Sequence, residues 1–195
     1  MKSMLLSIMF CLISSVSWGM LHSAETALWT DLVENPGDGL VYKKFLTMPF
    51  TGTVMATADD PIQRSYIDGS KHGEWIEFNA NGMVLAKRNY KEGKLYGLQE
   101  RYHKLGQLSY KSNYKDGVRH GPKERYNKMG SLISSTMYAN GIKLTKEEYQ
   151  YYESGQLNQK INYKDGKPHG LMEEFNKDGS LKSSKTYENG VEIKD

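Results

Sequence analysis

Three histidines, His72, His120 and His169, stand at one recurring place in the chain, each directly before a glycine. Recurrent histidines raise the question of a metal centre, because imidazole is a common ligand for zinc. Tyr96 and Leu144 occupy the intervening places and break the series. If each repeat is two strands wide, neighbouring histidines lie about 20 Å apart at a strand spacing of about 4.8 Å, too far to share one ion. They read as turn residues, and no metal or other cofactor is expected. Asp59 and Asp60 are the only adjacent aspartates. Paired carboxylates do acid–base work when they flank a substrate, which neighbours in one loop do not. Glu100, Glu124 and Glu173 also recur, and pairing with a base such as Arg88 or Lys185 on an adjoining strand accounts for them. No nucleophile, base and oxyanion donor can be assembled, so the chain does not read as an enzyme.

The aromatic residues carry more weight. An aromatic stands four residues before a recurring glycine: Phe78, Tyr102, Tyr126, Tyr151 and Phe175. A tyrosine follows the same glycine after eight residues: Tyr90, Tyr114, Tyr138, Tyr163 and Tyr187. Ring pairs across strands stabilise a thin sheet, and rings left uncovered mark a binding surface. We read the closing tyrosines as packing. Phe78, Tyr102, Tyr126, Tyr151 and Phe175 form the candidate binding face. Trp75 falls on the opposite face from Phe78, at the place held by Met172, and reads as an isolated contact on the polar side.

A strict frame must position these rings. Gly69, Gly93, Gly117 and Gly141 are spaced by 24 residues, and Gly166 and Gly190 continue the series after 25 and 24. A second set, Gly73, Gly97, Gly121 and Gly170, follows four residues later, with Thr145 in that place after Gly141. A third set comprises Gly82, Gly106, Gly130, Gly155 and Gly179. Such periodicity is the mark of a repeat architecture. Each frame reads strand, turn, strand, turn: "EWIEFN", "ANG", "MVLAKRNY", "KEG". Glycine within every ten residues or so argues against helix. The expectation is an all-β fold, an elongated single-layer antiparallel sheet of stacked β-hairpin repeats. In the second strand of a frame Leu108 and Tyr114 share a face by the period of two, while Gln107, Ser109, Lys111 and Asn113 take the other. One face is therefore expected to be aromatic and aliphatic, the other polar.

The ends depart from the frame. Residues 1–19 read as a secretory signal peptide, with a lysine, an apolar run over 4–16, and Ser17 and Gly19 as the small residues before cleavage. Cleavage after Ala24 is the alternative end, and a retained membrane anchor the alternative fate. Cys11, the only cysteine, lies in that run, so the remainder has no thiol for disulfides or catalysis. Residues 20–48 form an N-terminal extension. Leu28 and Leu32, four apart within 23–35, suit a short capping helix, and 39–46 an edge strand guarded by Lys43 and Lys44. The repeat array spans 49–195. Gly52 opens a short unit, 17 residues before Gly69 where the regular span is 20.

The phrases "NYKDGVRHG", "NYKDGKPHG", "HGEWIEFNANG" and "GLVYKKF…PFTGTV" resemble bacterial MORN-type (membrane occupation and recognition nexus) repeat proteins. The closest likeness is to the variant repeat of proteins labelled as antitoxin components of toxin–antitoxin systems. The resemblance runs from about residue 30 to the end. It implies stacked hairpins that act in binding, with no catalytic residue to carry over. The functional expectation is a non-enzymatic exported binding module, periplasmic or secreted, that engages a protein partner. The alternative is a cell-envelope polymer, glycan or lipid headgroup, and an antitoxin-like role ranks below both. The net charge of +3 comes in small alternating pieces, and without a dense basic block no nucleic-acid partner is expected.

Overall fold

Two kinds of turn build the ribbon. At six places a residue with positive φ precedes a glycine with positive φ, as in Asp116 (51°) and Gly117 (86°) or Asn140 (48°) and Gly141 (82°). This is the type I′ geometry, whose twist matches that of the strands it joins. The other turn closes around the third glycine of each frame. Gly82 N–H donates to the Asn79 carbonyl (2.9 Å), and Asn79 N–H to that of Met83 (2.8 Å). The Asn79 side chain accepts from the amides of Asn81 and Met83.

The computed structural model describes residues 25–194 and contains no α-helix among them. The reading of 1–19 as a signal peptide falls outside the described residues. Strands dominate, and sixteen of them join one sheet in which fourteen follow in succession. At the usual strand spacing the succession is about 60 Å long. Its regular part consists of hairpins such as Gly97–Tyr102 with Leu108–Lys115 and Val118–Tyr126 with Leu132–Ala139. Every such pair is antiparallel. The one parallel pair joins Glu25–Ala27 to Gly52–Val54 at the N-terminal end.

The expected capping helix is not formed. The described part of that segment is a strand (Glu25–Ala27), a single 3-10 turn (Trp29–Asp31) and a strand (Leu32–Glu34). Leu32 is buried while Leu28 is exposed. The two leucines do not share a face, and Ala27 and Leu32 enter the core instead. The strand within 39–46, Val41–Lys43, pairs with Leu32–Glu34 in a separate two-stranded sheet. The edge of the long sheet is Glu25–Ala27, and Lys43 is ion-paired with Glu25. Gly52 faces Tyr66 in the register that sets Gly73 against Tyr90, so the short first unit keeps the geometry of the others. A β-carbon at Gly52 would lie 2.2 Å from the Glu25 carbonyl oxygen, so glycine is what lets the parallel strand dock.

The core occupies this end alone. Ala27, Leu32, Val41, Phe50, Val54, Tyr66 and Trp75 are buried together, with Trp29, Ile62 and Tyr90 packed against them. Phe50, Tyr66, Trp75 and Tyr90 form a continuous aromatic stack, with centroids 6.2, 5.4 and 5.0 Å apart. Trp75 is therefore a core residue, not an isolated surface contact. Its indole N–H donates to the Ser65 carbonyl (3.0 Å). Farther along, Ala86, Gln99, Ser112 and Thr136 are buried, and beyond Thr136 no described residue is.

Candidate functional site: two faces of an open ribbon

The expectation of one aromatic and one polar face is corrected by the register. Direct partners share a face. Gln99 opposes Ser112 and Arg101 opposes Tyr110, while Glu100 opposes Lys111. Tyr102 lies on the Glu100 side and Tyr114 on the Gln99 side. A bulge adjoins each recurring aromatic, at Glu77/Phe78, Arg101/Tyr102, Arg125/Tyr126, Gln150/Tyr151 and Glu174/Phe175. The extra residue breaks the alternation between the two strands of a hairpin. Leu108 opposes Tyr102 across it, yet the closing tyrosines point the other way.

The first face carries Phe78, Tyr102, Tyr126, Tyr151 and Phe175, one per unit and all half-buried. It also carries Lys87, Lys111 and Lys160, although alternation along the second strand of a frame sets Lys111 on a separate polar side. Its charges are matched. Lys111 Nζ lies 2.7 Å from Glu124, Lys160 3.4 Å from Glu147 and Lys87 3.7 Å from Glu74. Tyr102 donates to Glu100 (2.9 Å), Tyr149 to Glu147 (2.6 Å), and Tyr126 to Glu124. Glu124 raises the Lys111 pKa by hydrogen bonding. Burial works against the Glu124 carboxylate, yet donation from Lys111 and Tyr126 holds its pKa below the ordinary value.

The second face carries the closing tyrosines and an unmatched set of cations. From Arg88 to Lys146 it presents Arg88, Arg101, Arg119, Lys123, Arg125, Lys143 and Lys146. Its acids there are Glu77, taken by Arg88 (3.0 Å), and Glu148, taken by Lys146. Guanidinium groups and lysines lie over the rings: Arg119 is 5.6 Å from Tyr114 and 5.8 Å from Tyr138, Arg101 6.0 Å and Lys123 5.9 Å from Tyr110. Such contacts are worth roughly 0.5–1 kcal/mol at exposed sites. Sequence reasoning missed this face. The net charge is small, and only the pleat sorts the unpaired cations to one side and most of the glutamates to the other.

Of the remaining candidates, His120, His169 and Asp60 have structural partners. His120 Nδ1 is 3.2 Å from the Asn140 side chain, and the Asn189 amide donates to His169 Nδ1 (3.5 Å), so each of these histidines ties together the two ends of its own frame. Among the described residues no three His, Cys, Asp or Glu side chains gather as a metal site would need. Asp60 holds Arg64 in a two-pronged pair, and Arg64 lies over the Trp29 ring (4.8 Å).

Tyrosine ionisation supplies a test of this arrangement. Burial pushes the Tyr66 pKa up to about 12, and burial with the Glu100 hydrogen bond does the same for Tyr102. An unfolded tyrosine ionises near pH 10. Between these values the folded chain holds protons that the unfolded chain has lost, so stability falls as pH rises through that window. Melting followed by circular dichroism should show a steep decline from pH 10 to 12. Tyr66→Phe and Tyr102→Phe should flatten it, and an unchanged slope in both would mean the hydroxyls do not ionise against the fold.

Four segments, residues 71–92, 95–116, 144–165 and 168–189, match the MORN repeat variant. Residues 117–143 lie between the second and third matches and continue the same hairpin geometry. No curated protein matches the chain. Repeats of this kind commonly serve as binding modules, which fits a non-enzymatic role.

Proposed function

From a ribbon of MORN-variant repeats, we propose that the chain is an exported binding module that engages an extended protein partner along its length. The observation that carries this reading is the row of half-exposed aromatics from Phe78 to Phe175. It recurs about every 10 Å, two strand spacings, on a sheet face with no second layer. Repeat surfaces of this shape suit extended partners, and tyrosine is favoured at the centre of interfaces. The apolar run over 4–16 and the lack of cysteine after Cys11 support export.

Tyr102 and Tyr126 are the residues to test. They sit in central units; the Tyr102 hydroxyl bonds to Glu100 on its own strand, and the Tyr126 hydroxyl bonds to Glu124 with Lys111 of the adjoining strand beside it. Crosslinking pull-downs from the native envelope fraction should yield a discrete protein band. Replacing both tyrosines by serine should weaken that band at least tenfold per folded molecule. Tyr114→Ser with Tyr138→Ser should lower the melting temperature first. A Tyr102/Tyr126 double mutant that melts early, yet retains its partner, would assign the row to packing and overturn the reading.

A further inference from the structure

The second face contains a small hollow between two hairpins. Its volume is about 200 Å³, and its walls include Gln99, Arg101, Tyr110, Tyr114 and Arg119. Ser112 lies beside it, directly opposite Gln99 in the register. Gln99 Oε1, Ser112 Oγ and Arg119 Nε are buried without a close hydrogen-bond partner, and the Tyr110 hydroxyl is the polar group that faces Ser112 and Arg119. Gln99 and Ser112 are only 6% and 1% exposed. Leaving such atoms unmatched costs about 1–3 kcal/mol each, so a cluster of them points to a bound group.

The donor and acceptor types narrow that group. The Gln99 amide nitrogen donates to the Asn89 carbonyl (3.1 Å), which fixes the amide orientation and leaves Oε1 as a pure acceptor. A bare anion has nothing to offer Oε1, whereas a hydroxyl does. Arg119 Nε is a pure donor, and Ser112 serves either way. Arg101 and Arg119 add two guanidinium groups without a carboxylate partner on this face, and the forks of arginine suit carboxylate or phosphate. The rings of Tyr110 and Tyr114 supply flat apolar walls. A ligand that meets all of these carries hydroxyls, an anionic group and an apolar ring face.

We propose that this hollow is a binding site for an anionic sugar residue. The ring lies against Tyr110 and Tyr114, a hydroxyl donates to Gln99 Oε1, and the anionic group meets Arg119 and Arg101. The next unit repeats the theme. A hollow of about 350 Å³ is lined there by Lys123, Arg125, Tyr138, Lys143 and Lys146. Two basic hollows in successive units suit an acidic glycan with regularly placed charges. The site lies on the face opposite the Phe78–Phe175 row and does not depend on the protein partner proposed above.

The test is calorimetric titration of the full chain at constant ionic strength with glucuronate and with glucose 6-phosphate, against glucose and acetate as controls. At least one anionic sugar should bind saturably, and the stronger of the two identifies the anion as carboxylate or phosphate. Glucose and acetate should bind at least tenfold more weakly. Gln99→Met removes the orphaned acceptor while keeping side-chain length, and Arg119→Gln removes the buried donor and its charge. Each should weaken binding at least tenfold, with the dichroism spectrum of the sheet retained. Lys160→Gln, on the opposite face and paired there with Glu147, should leave binding within twofold. Saturation by acetate, equal binding of glucose, no saturation by either anionic sugar, or binding unaffected by Gln99→Met and Arg119→Gln in folded protein would each overturn the proposal.

Discussion

Trp75→Ala should destabilise the protein by about 3–5 kcal/mol, the range for deleting a buried large aromatic side chain. The ring stacks between Tyr66 and Tyr90, lies under Lys71 (4.9 Å) and donates to Ser65. Its removal opens the one core region among the described residues and takes away one of the two donors to the Ser65 carbonyl, leaving the His72 amide. Met172 holds the same place in the last full unit, on the same face, and is not buried. Met172→Ala should cost no more than about 1 kcal/mol, as surface substitutions do. Urea unfolding of both variants measures the contrast. Equal losses would mean that the two ends of the ribbon are stabilised alike, against the distribution of burial described above. Trp75→Phe keeps the stack but loses the indole donor, and should fall between the wild type and Trp75→Ala.

Deletion of one whole frame, residues 94–117, should leave a folded protein with one hairpin fewer. The cut joins Gly93, the end of one type I′ turn, to Val118, the residue that follows the next. The strand order and both faces are preserved across the join. Each unit contacts its neighbours only, so stability should fall by one nearest-neighbour increment. Deletion of residues 94–105 removes a single strand and should be far worse. The strand Leu108–Lys115 would then follow Val84–Lys91, where a strand of the other type belongs, and the row of closing tyrosines would be broken. Far-UV dichroism and melting of the two deletions decide between an additive ribbon and a globular core. Similar damage from both would favour the core.

The fold was legible because its determinants are local. The glycine frame marks each turn, and paired Asp-Gly or Asn-Gly steps name the turn type. The candidate face was legible only in part. Alternation along Leu108–Lys115 is real, but carrying it across to Tyr102 requires crossing a bulge, and nothing in the letters of one strand announces that extra residue. Trp75 was read as a surface contact because the layer that covers it comes from distant residues, Phe50 and Val54 among them. The absence of a helix near Leu28 has the same origin, since Ala27 is held by a parallel strand on Gly52–Val54. The basic hollow was hidden because Gln99, Ser112 and Arg119 belong to different repeat positions. They meet only when three strands lie side by side.

The order of the strands also fixes how the molecule answers to force. Glu25–Ala27 lies at one end of the long sheet and Val191–Ile193 at the other. Tension between the two ends therefore runs across the strands, along the hydrogen bonds that join them. Bonds loaded in that direction give way one after another, as in a zipper, instead of sharing the load as in shear. Each frame that peels away pays out 24 residues, a chain length of about 80 Å at roughly 3.3–3.6 Å per residue, in exchange for about 10 Å of ribbon. The stacked core around Trp75 anchors one end, and no described residue beyond Thr136 is buried. A pulled molecule thus unravels from its C-terminal side, in even steps and at low tension. Held at both ends, such a ribbon would lengthen several-fold before it broke.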